Sequence, residues 1–115
     1  MKYLLLIYQN EAAMESARKS DMQQIMGAYG AYTEALKKAG ALVGGDALER
    51  SSAATTVRIA NDKTQVLNGP YAETKEQLGG YYLIDVPDLD AALTWAARCP
   101  GASHGVMEVR PLRSM

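Results

Sequence analysis

Apolar residues along the chain follow two kinds of spacing. Residues 3–8, YLLLIY, are six apolar positions in a row, the pattern of a strand that is apolar on both faces. From residue 20 onward, apolar side chains recur every three or four positions, which predicts an amphipathic helix with one stripe toward the core. The residues of this stripe are Met22, Ile25, Met26, Tyr29, Tyr32, Leu36 and Ala39.

Local signals mark the two ends of this helix. Ser20 followed by Gln23 fits a capping box, so the helix is predicted to begin there and residues 11–19 to form a polar connection. Lys37 suits the last turn because the helix dipole favours cations there, and Gly40 is a natural end.

The rest of the chain predicts five further strands and a second helix. Gly44 and Gly45 interrupt the first of these strands, which indicates a bulge or a close backbone approach. Asp88 is the predicted N-cap of the second helix, and Pro100 with Gly101 ends it. The predicted strands span residues 41–48, 54–60, 64–67, 80–86 and 106–112, the second and third forming a hairpin.

The elements therefore follow the order strand-helix-strand, hairpin, strand-helix-strand. Two strand-helix-strand units joined in this way build an α+β fold with a ferredoxin-like antiparallel sheet and both helices on one face. At 115 residues the chain has the length of one domain, predicted to span residues 1–115.

The face of the sheet away from the helices is predicted to be apolar. An antiparallel sheet with one solvated face shows alternation of apolar and polar residues, and residues 3–8 and 82–84 lack it. Left bare, this face would be larger than the apolar patches that monomers usually expose. We therefore predict a homodimer that packs sheet to sheet, since symmetric dimers are the commonest oligomers.

Charge and composition argue against two classes of partner and indicate a cellular compartment. The chain has 12 Lys and Arg against 13 Asp and Glu, which argues against nucleic acid because phosphate binding needs a surplus of cations. The N-terminal apolar run is shorter than a signal-peptide core and far shorter than a membrane span, so no membrane partner is predicted. Cys99 is the single cysteine, which excludes an internal disulfide and predicts a cytoplasmic location.

Three segments carry a resemblance to a known family: NGPYAETKEQLGGYYLIDV at residues 68–86, WAARCPG at residues 95–101 and VRP at residues 109–111. With the order of elements, they resemble the YCII-related domain family over essentially the whole chain, and more narrowly its branch named for a DGPF motif. The resemblance implies a dimeric α/β barrel built from ferredoxin-like halves. At the motif itself, this chain has Asn68 in place of the Asp and Tyr71 in place of the Phe.

The resemblance also bears on activity. A related branch includes a dehydrochlorinase of a chlorinated hydroquinone, thought to use a His–Asp pair with the histidine on the first helix. This chain has Ala28 about where that histidine would fall and no histidine before His104, so a mechanism that depends on it does not carry over. Proteins of the DGPF branch are similar to domains beside or fused to extracytoplasmic-function sigma factors in bacteria, which implies an accessory or regulatory role.

Alternation along the later strands predicts which polar residues face the space between the two sheets of the dimer. Thr56 is expected there, and the candidate ligand-binding residues are Arg58, Tyr81, Asp85, Glu108 and Arg110. Two guanidinium groups and two carboxylates in an apolar cleft suit a small polar or anionic ligand, because guanidinium binds carboxylate bidentately. Ion pairs across strands at the rim of a dimer also explain these residues, and both interpretations stay open.

The loop at residues 72–76 carries the acid–base candidates Glu73 and Lys75, since functional groups concentrate in loops. A solvated turn between two strands also explains its charges. Gly79 and Gly80 are expected to supply a positive φ and a close approach of the loop to the sheet.

No metal ion or other cofactor is predicted. His104 falls in a predicted loop with no second His or Cys nearby, and a metal site needs three or four ligands. Two functions stay open: a small-molecule site at the barrel, in an enzyme of lyase type or a binding protein, and a non-catalytic accessory module that acts through a protein partner. The sequence favours the first.

Overall fold

Six strands, four helices and one short 3-10 turn make up residues 1–114 in a computed structural model, a mixed α+β fold. The strands are β1 (Lys2–Gln9), β2 (Leu42–Ala47), β3 (Thr55–Ala60), β4 (Lys63–Asn68), β5 (Gln77–Asp85) and β6 (Val106–Pro111). The helices are α1 (Glu11–Glu15), α2 (Lys19–Lys38), α3 (Leu89–Arg98) and α4 (Gly101–His104), and the turn is Ser51–Ala53.

Four of the strands form one antiparallel sheet in the order β2-β5-β1-β6. The apolar strand β1 is therefore internal, with Leu5 opposite Tyr82 of β5 on one side and Val109 of β6 on the other. The predicted hairpin is confirmed as β3 and β4, which form a separate two-stranded sheet with Val57 opposite Val66.

The core lies between the four-stranded sheet and the helices α2 and α3. Both helices contribute to one buried cluster, formed by Tyr3, Leu5, Ile7, Tyr32, Leu36, Ala41, Ile84, Val86, Ala92, Ala96 and Cys99. Leu5 and Ile84, on neighbouring strands, are completely buried. Burial of each such large apolar side chain contributes about 1.5–3 kcal/mol, so the paired strands β1 and β5 anchor the helices to the sheet.

Tyr32 links the two packed helices to each other and to the sheet. Its hydroxyl donates a hydrogen bond of 2.7 Å to the carbonyl oxygen of Trp95 in α3. Its ring packs edge to face against Tyr82, at 5.3 Å between ring centres, and against Trp95, at 6.0 Å. Burial raises the pKa of the Tyr32 hydroxyl well above its usual value, so the group stays protonated in the folded protein.

The predicted capping box at Ser20 is wrong. The helix α2 begins at Lys19, after Arg18, whose side chain makes no capping hydrogen bond, so Ser20 already lies inside the first turn. The stretch predicted as a polar connection contains α1, because the Asn10 side chain accepts a hydrogen bond of 3.0 Å from the amide of Ala13. A single cap thus forms a short helix that apolar spacing does not reveal.

In the C-terminal strand-helix-strand unit, the structure agrees more closely with the predictions from the sequence. The N-cap prediction for Asp88 is confirmed, since its carboxylate accepts a hydrogen bond of 2.9 Å from the amide of Ala91. His104, predicted in a loop, is instead the last residue of α4. None of the helices within residues 1–114 has the length and apolar character needed to cross a membrane.

The apolar stripe of α2 reaches the core only in its second half. Tyr32 and Leu36 are buried, but Met26 is 70% exposed, and neither Met22 nor Ile25 is buried. The prediction that the whole stripe packs into the core is therefore wrong. Between the first half of α2 and the sheet, apolar side chains border open space instead of other side chains.

Gly105 and Gly30 provide a matched test of this packing. A Cβ at Gly105 would collide with the carbonyl oxygen of Tyr8, whereas a Cβ at Gly30 on α2 would meet no atom within 4 Å. We expect Gly105→Ala to lower the free energy of unfolding by about 2 kcal/mol, a typical cost of overpacking. Gly30→Ala should raise it by about 0.5–1 kcal/mol because alanine favours helix. Urea unfolding measures both, and equal stability of the two variants would contradict the structure.

The raised pKa of Tyr32 predicts a loss of stability at alkaline pH. Above pH about 10 the tyrosine hydroxyl ionises in the unfolded chain but not in the folded one, so the folded state binds more protons. The free energy of unfolding should therefore be fully present below pH 10 and fall above it, by at most about 1.4 kcal/mol per pH unit for each such group. Urea unfolding between pH 8 and 11 (roughly the window set by the tyrosine pKa) should show a smaller loss in Tyr32→Phe. Identical losses in the two proteins would refute this assignment.

Candidate functional site

A groove of about 610 Å³ lies between the first half of α2 and the edge of the sheet formed by β2 and β5. Its wall on the helical side includes four apolar residues, Met14, Met22, Ile25 and Met26. Methionine side chains are flexible and polarizable, so such a wall adapts to ligands of different shape. The groove is on the same side of the sheet as the core, which it continues toward the β2 edge.

Glycines leave the floor of this groove free of side chains. A Cβ at Gly45 of β2 would stand 2.7 Å from the carbonyl oxygen of Tyr81, and one at Gly80 of β5 would stand 3.0 Å from the carbonyl oxygen of Asp46. The two strands approach each other too closely for side chains there. The predicted bulge is confirmed, since the pairing of β2 with β5 shifts between Leu42 and Gly44.

The expectation of a positive φ at Gly79 and Gly80 is wrong. The glycines with positive φ in residues 1–114 are Gly40 and Gly69, and both Gly79 and Gly80 lie within β5. What these positions require is space: a Cβ at Gly79 would stand 2.7 Å from the side-chain nitrogen of Gln9. The close approach that the sequence indicated is thus found, for a steric reason and not a conformational one.

A hydroxyl pair lies on the groove wall. The Thr33 hydroxyl donates a hydrogen bond of 2.8 Å to the carbonyl oxygen of Tyr29, one turn earlier in α2, and lies 2.8 Å from the Tyr82 hydroxyl. Threonine has a single hydroxyl proton, so Tyr82 is the donor to Thr33. The Tyr82 oxygen keeps free lone pairs while its own proton is engaged. The pair is therefore ready to accept a hydrogen bond from a molecule in the groove.

Burial fixes the charge state of the phenols in the groove. Burial raises the pKa of Tyr29 and of Tyr82, and the nearby Cys99 raises both further. Burial also raises the pKa of the Cys99 thiol. All three groups are neutral at physiological pH, so they contribute hydrogen bonding and contact area and not a nucleophile or a strong base.

Charged groups occur at the mouth of the groove. Lys37 lines the groove at the C-terminal end of α2, and Asp46 borders its edge on β2 but lies opposite Tyr81, so the Asp46 side chain is directed to the other face of the sheet. The Lys37 ammonium lies 3.4 Å from Glu34 in an exposed pair, which contributes little to stability. Across residues 1–114, no three His, Cys, Asp or Glu side chains are grouped as a metal ion would require.

Four of the five predicted ligand-binding residues share the face of the sheet opposite the helices, which we call the open face. Tyr81 and Glu108 lie on either side of Leu6, and Arg110 lies opposite Leu4. Asp85 lies opposite Lys2 at the end of the same face. The centre of this face is apolar and is formed by Leu4, Leu6, Tyr8 and Leu83.

Several of these polar residues already have partners within the chain. The Arg110 guanidinium lies 2.5 Å from the Glu108 carboxylate on the same strand. Asp85 pairs with the N-terminal ammonium of Met1 at 3.1 Å. In one chain the open face therefore holds an ion pair at one edge and another at one end, and not a convergent set of charges.

Arg58 does not lie on the open face. It belongs with Thr56 to the separate hairpin, so the prediction that these two residues line the open face is wrong. The Arg58 guanidinium instead lies 5.7 Å from the centre of the Tyr71 ring, a cation–π contact. Glu73 and Lys75 lie in the exposed loop between β4 and β5, and their acid–base role stays a prediction.

The sequence does not reveal the groove. Apolar spacing predicts Tyr29 as a core residue, and Thr33 lacks any motif that marks it. One signal is present in the sequence: two double glycines, at residues 44–45 and 79–80, which lie on the neighbouring strands β2 and β5, with Gly45 opposite Tyr82 and Gly80 opposite Ala47. Only the sheet register shows that these two segments meet.

Comparisons with known proteins place the chain in a family. Over 114 residues it is 40% identical to an uncharacterized protein of Rhizobium meliloti (strain 1021), covering 97% of this chain and 92% of that protein. A solved structure similar to this one is 5-chloro-2-hydroxyhydroquinone dehydrochlorinase from Burkholderia phenoliruptrix AC1100 in complex with 2,5-dihydroxybenzoquinone. It has 14% identity, a TM-score of 0.49 and coverage of 98% of this chain and 94% of that one. The YCII-related domain matches residues 1–115, so the chain belongs to the YCII-related domain family.

Proposed function

We propose that the groove between α2 and the β2–β5 edge binds a small, mostly apolar organic molecule that carries a hydrogen-bond donor. The observation that carries this proposal is the Thr33–Tyr82 hydroxyl pair, which has a free acceptor in an otherwise apolar groove of about 610 Å³. Ligand sites are typically concave and apolar, with a few polar groups that fix the orientation of the ligand. Molecules with a hydroxyl or amino group on an aromatic or aliphatic frame have the matching chemistry.

The proposal covers binding, and a reaction of lyase type is a separate step. Proton abstraction from a bound molecule requires a base, and the phenols of the groove are held neutral by burial. Asp46 is the carboxylate among the lining residues, but it lies opposite Tyr81 and its side chain shares the open face with that residue, so it does not supply a base inside the groove. The geometry of the groove therefore supports the binding of a molecule better than it supports a reaction.

We also propose a homodimer of ferredoxin-like halves that pack through their open faces. The strand order β2-β5-β1-β6, with α2 and α3 in one core on the other side, supports this arrangement. Leu4, Leu6 and Leu83 are adjacent at the centre of the open face, and each is only partly buried. Covering such side chains is worth about 1.5–3 kcal/mol each, which favours association.

The finer family placement and the compartment are proposals as well. The segment from Asn68 to Tyr71 supports placement in the DGPF branch, and Gly69 there has a φ of 109°, as a turn with glycine requires. The single cysteine, Cys99, is buried and free, which suits the reducing cytoplasm.

Thr33→Val tests the binding site. We expect phenols and hydroxylated aromatic acids to raise the melting temperature of the natural protein. Thr33→Val should weaken binding about tenfold, because it removes the acceptor that holds the Tyr82 proton and thereby fixes the direction of the free lone pairs of Tyr82. Thr94→Val is the matched control: the Thr94 hydroxyl also bonds a carbonyl one turn earlier, at 3.0 Å to Asp90, but on α3. It should leave binding unchanged. Isothermal calorimetry gives the affinities.

Two results would count against the groove. If no molecule of the panel stabilises the protein, the proposed ligand class is wrong. If Arg110→Ala abolishes binding while Thr33→Val preserves it, the ligand occupies the open face and not the groove. Arg110 lies on the open face, so this comparison separates the two candidate sites.

Leu83→Glu tests the dimer. The side chain of Leu83 lies at the centre of the open face, opposite Leu4, so a buried charge there should raise the dimer dissociation constant at least tenfold. Leu93→Glu is the control, because Leu93 is 47% exposed on α3, away from the open face. Sedimentation equilibrium at micromolar concentration measures both. A natural protein that sediments as a monomer would refute the homodimer and leave the groove unaffected.

A further inference from the structure

The single chain exposes more surface than a compact protein of its size. It exposes 8090 Å², whereas a folded monomer of 12.4 kDa is expected to expose about 6100 Å². Its radius of gyration is 16.1 Å against about 13 Å for a compact domain of this length. Its thickness is 18 Å, while its other two dimensions are 48 and 44 Å. The excess of about 2000 Å² exceeds the roughly 800 Å² per partner that a stable interface buries.

The hairpin formed by β3 and β4 contributes to this excess with one entirely apolar group of exposed side chains. Val57, Ile59 and Val66 share one face of the hairpin, because Val57 lies directly opposite Val66 and Ile59 follows two residues later. They are 61%, 71% and 61% exposed. An isolated two-stranded hairpin is marginally stable in water, so this face needs a surface to pack against.

The other face of the hairpin carries the exposed Leu67 and makes contacts with the rest of the chain at its base. The Thr56 hydroxyl donates a hydrogen bond of 2.8 Å to the carbonyl oxygen of Gly69, and Arg58 lies over the ring of Tyr71. These contacts hold the base of the hairpin from the side that carries Thr56 and Arg58. The side that carries Val57, Ile59 and Val66 is left without a covering element in residues 1–114.

We propose that the hairpin is an arm whose Val57–Ile59–Val66 face packs onto a second copy of this chain. The proposal rests on the homodimer proposed above and extends it to a second contact region. The base of the arm and the open face border one concave surface of about 770 Å³, to which Thr55, on the face of the arm that carries Val57, and Thr56 contribute from one side and Tyr8 and Leu78 from the other. A copy seated on the open face therefore lies next to the arm. By two-fold symmetry each copy then receives the arm of the other.

A pair of charge-introducing variants on the two faces of the arm tests this proposal. Ile59→Glu places a carboxylate on the apolar face, and Gln65→Glu places one on the opposite face of the same hairpin, where Gln65 lies across from Arg58. Sedimentation equilibrium should show that the natural protein is a dimer. The dimer dissociation constant should be at least tenfold higher for Ile59→Glu and unchanged for Gln65→Glu. Circular dichroism checks that both variants fold.

Amide hydrogen exchange supplies a measurement that does not depend on a variant. In the natural protein, the amides of Val57 to Val66 should exchange more slowly at high protein concentration than after dilution below the dissociation constant. If the protein is a dimer and these amides exchange rapidly at every protein concentration, the arm does not pack on the second copy.

The remaining outcomes are distinct. A natural dimer that Ile59→Glu does not weaken overturns the arm and leaves the open-face dimer standing. Equal dissociation of Ile59→Glu and Gln65→Glu overturns the assignment of the contact to one face. If the natural protein is a monomer, both the proposed homodimer and the proposed packing of the arm are wrong. The ligand of the groove is then tested separately. In that case the apolar face of the arm belongs to a different protein partner.

Discussion

The apolar character of β1 on both of its faces is the constraint on which the rest of the structure depends. Tyr3, Leu5 and Ile7 are buried against the helices, and Leu4 and Leu6 point the other way. The helices α2 and α3 pack on the first set and complete one hydrophobic core. Because a sheet has two faces and both helices pack on one of them, the second set is left as an apolar surface. A single chain therefore buries only one of the two apolar faces of its strand β1.

Elements set by short-range signals could be predicted from the sequence. The six apolar residues of β1, the hairpin around Asn61 and the N-cap at Asp88 each depend on a few neighbouring residues, and the structure has all three. Ser20 shows the limit of such signals, because its capping pattern occurs one residue inside the helix that begins at Lys19. A pattern of polar residues does not by itself fix where the first hydrogen-bonded turn forms.

Features that depend on contacts between segments far apart in the sequence could not be predicted. The stripe of α2 predicts a packed face along its whole length, yet only Tyr32 and Leu36 are buried. Arg58 has the alternation of an open-face residue, but its hairpin is outside the main sheet. The groove depends on the register of β2 with β5, which brings Gly45 opposite Tyr82. Periodicity specifies which face of an element is apolar, and tertiary structure decides what meets that face.

The strand β5 lies between the proposed dimer surface and the proposed binding groove, which are on opposite sides of a single layer of backbone. Its successive side chains alternate between the faces, so Tyr82 lies toward the helices and Leu83 toward the open face. Sheets hold their strands about 4.8 Å apart through backbone hydrogen bonds, and that backbone is shared by both surfaces. A partner on the open face therefore leaves the entrance to the groove free, while it restrains the strand that carries the Tyr82 hydroxyl. A restrained acceptor loses less conformational freedom when a ligand binds, so the two surfaces are linked energetically without any shared side chain.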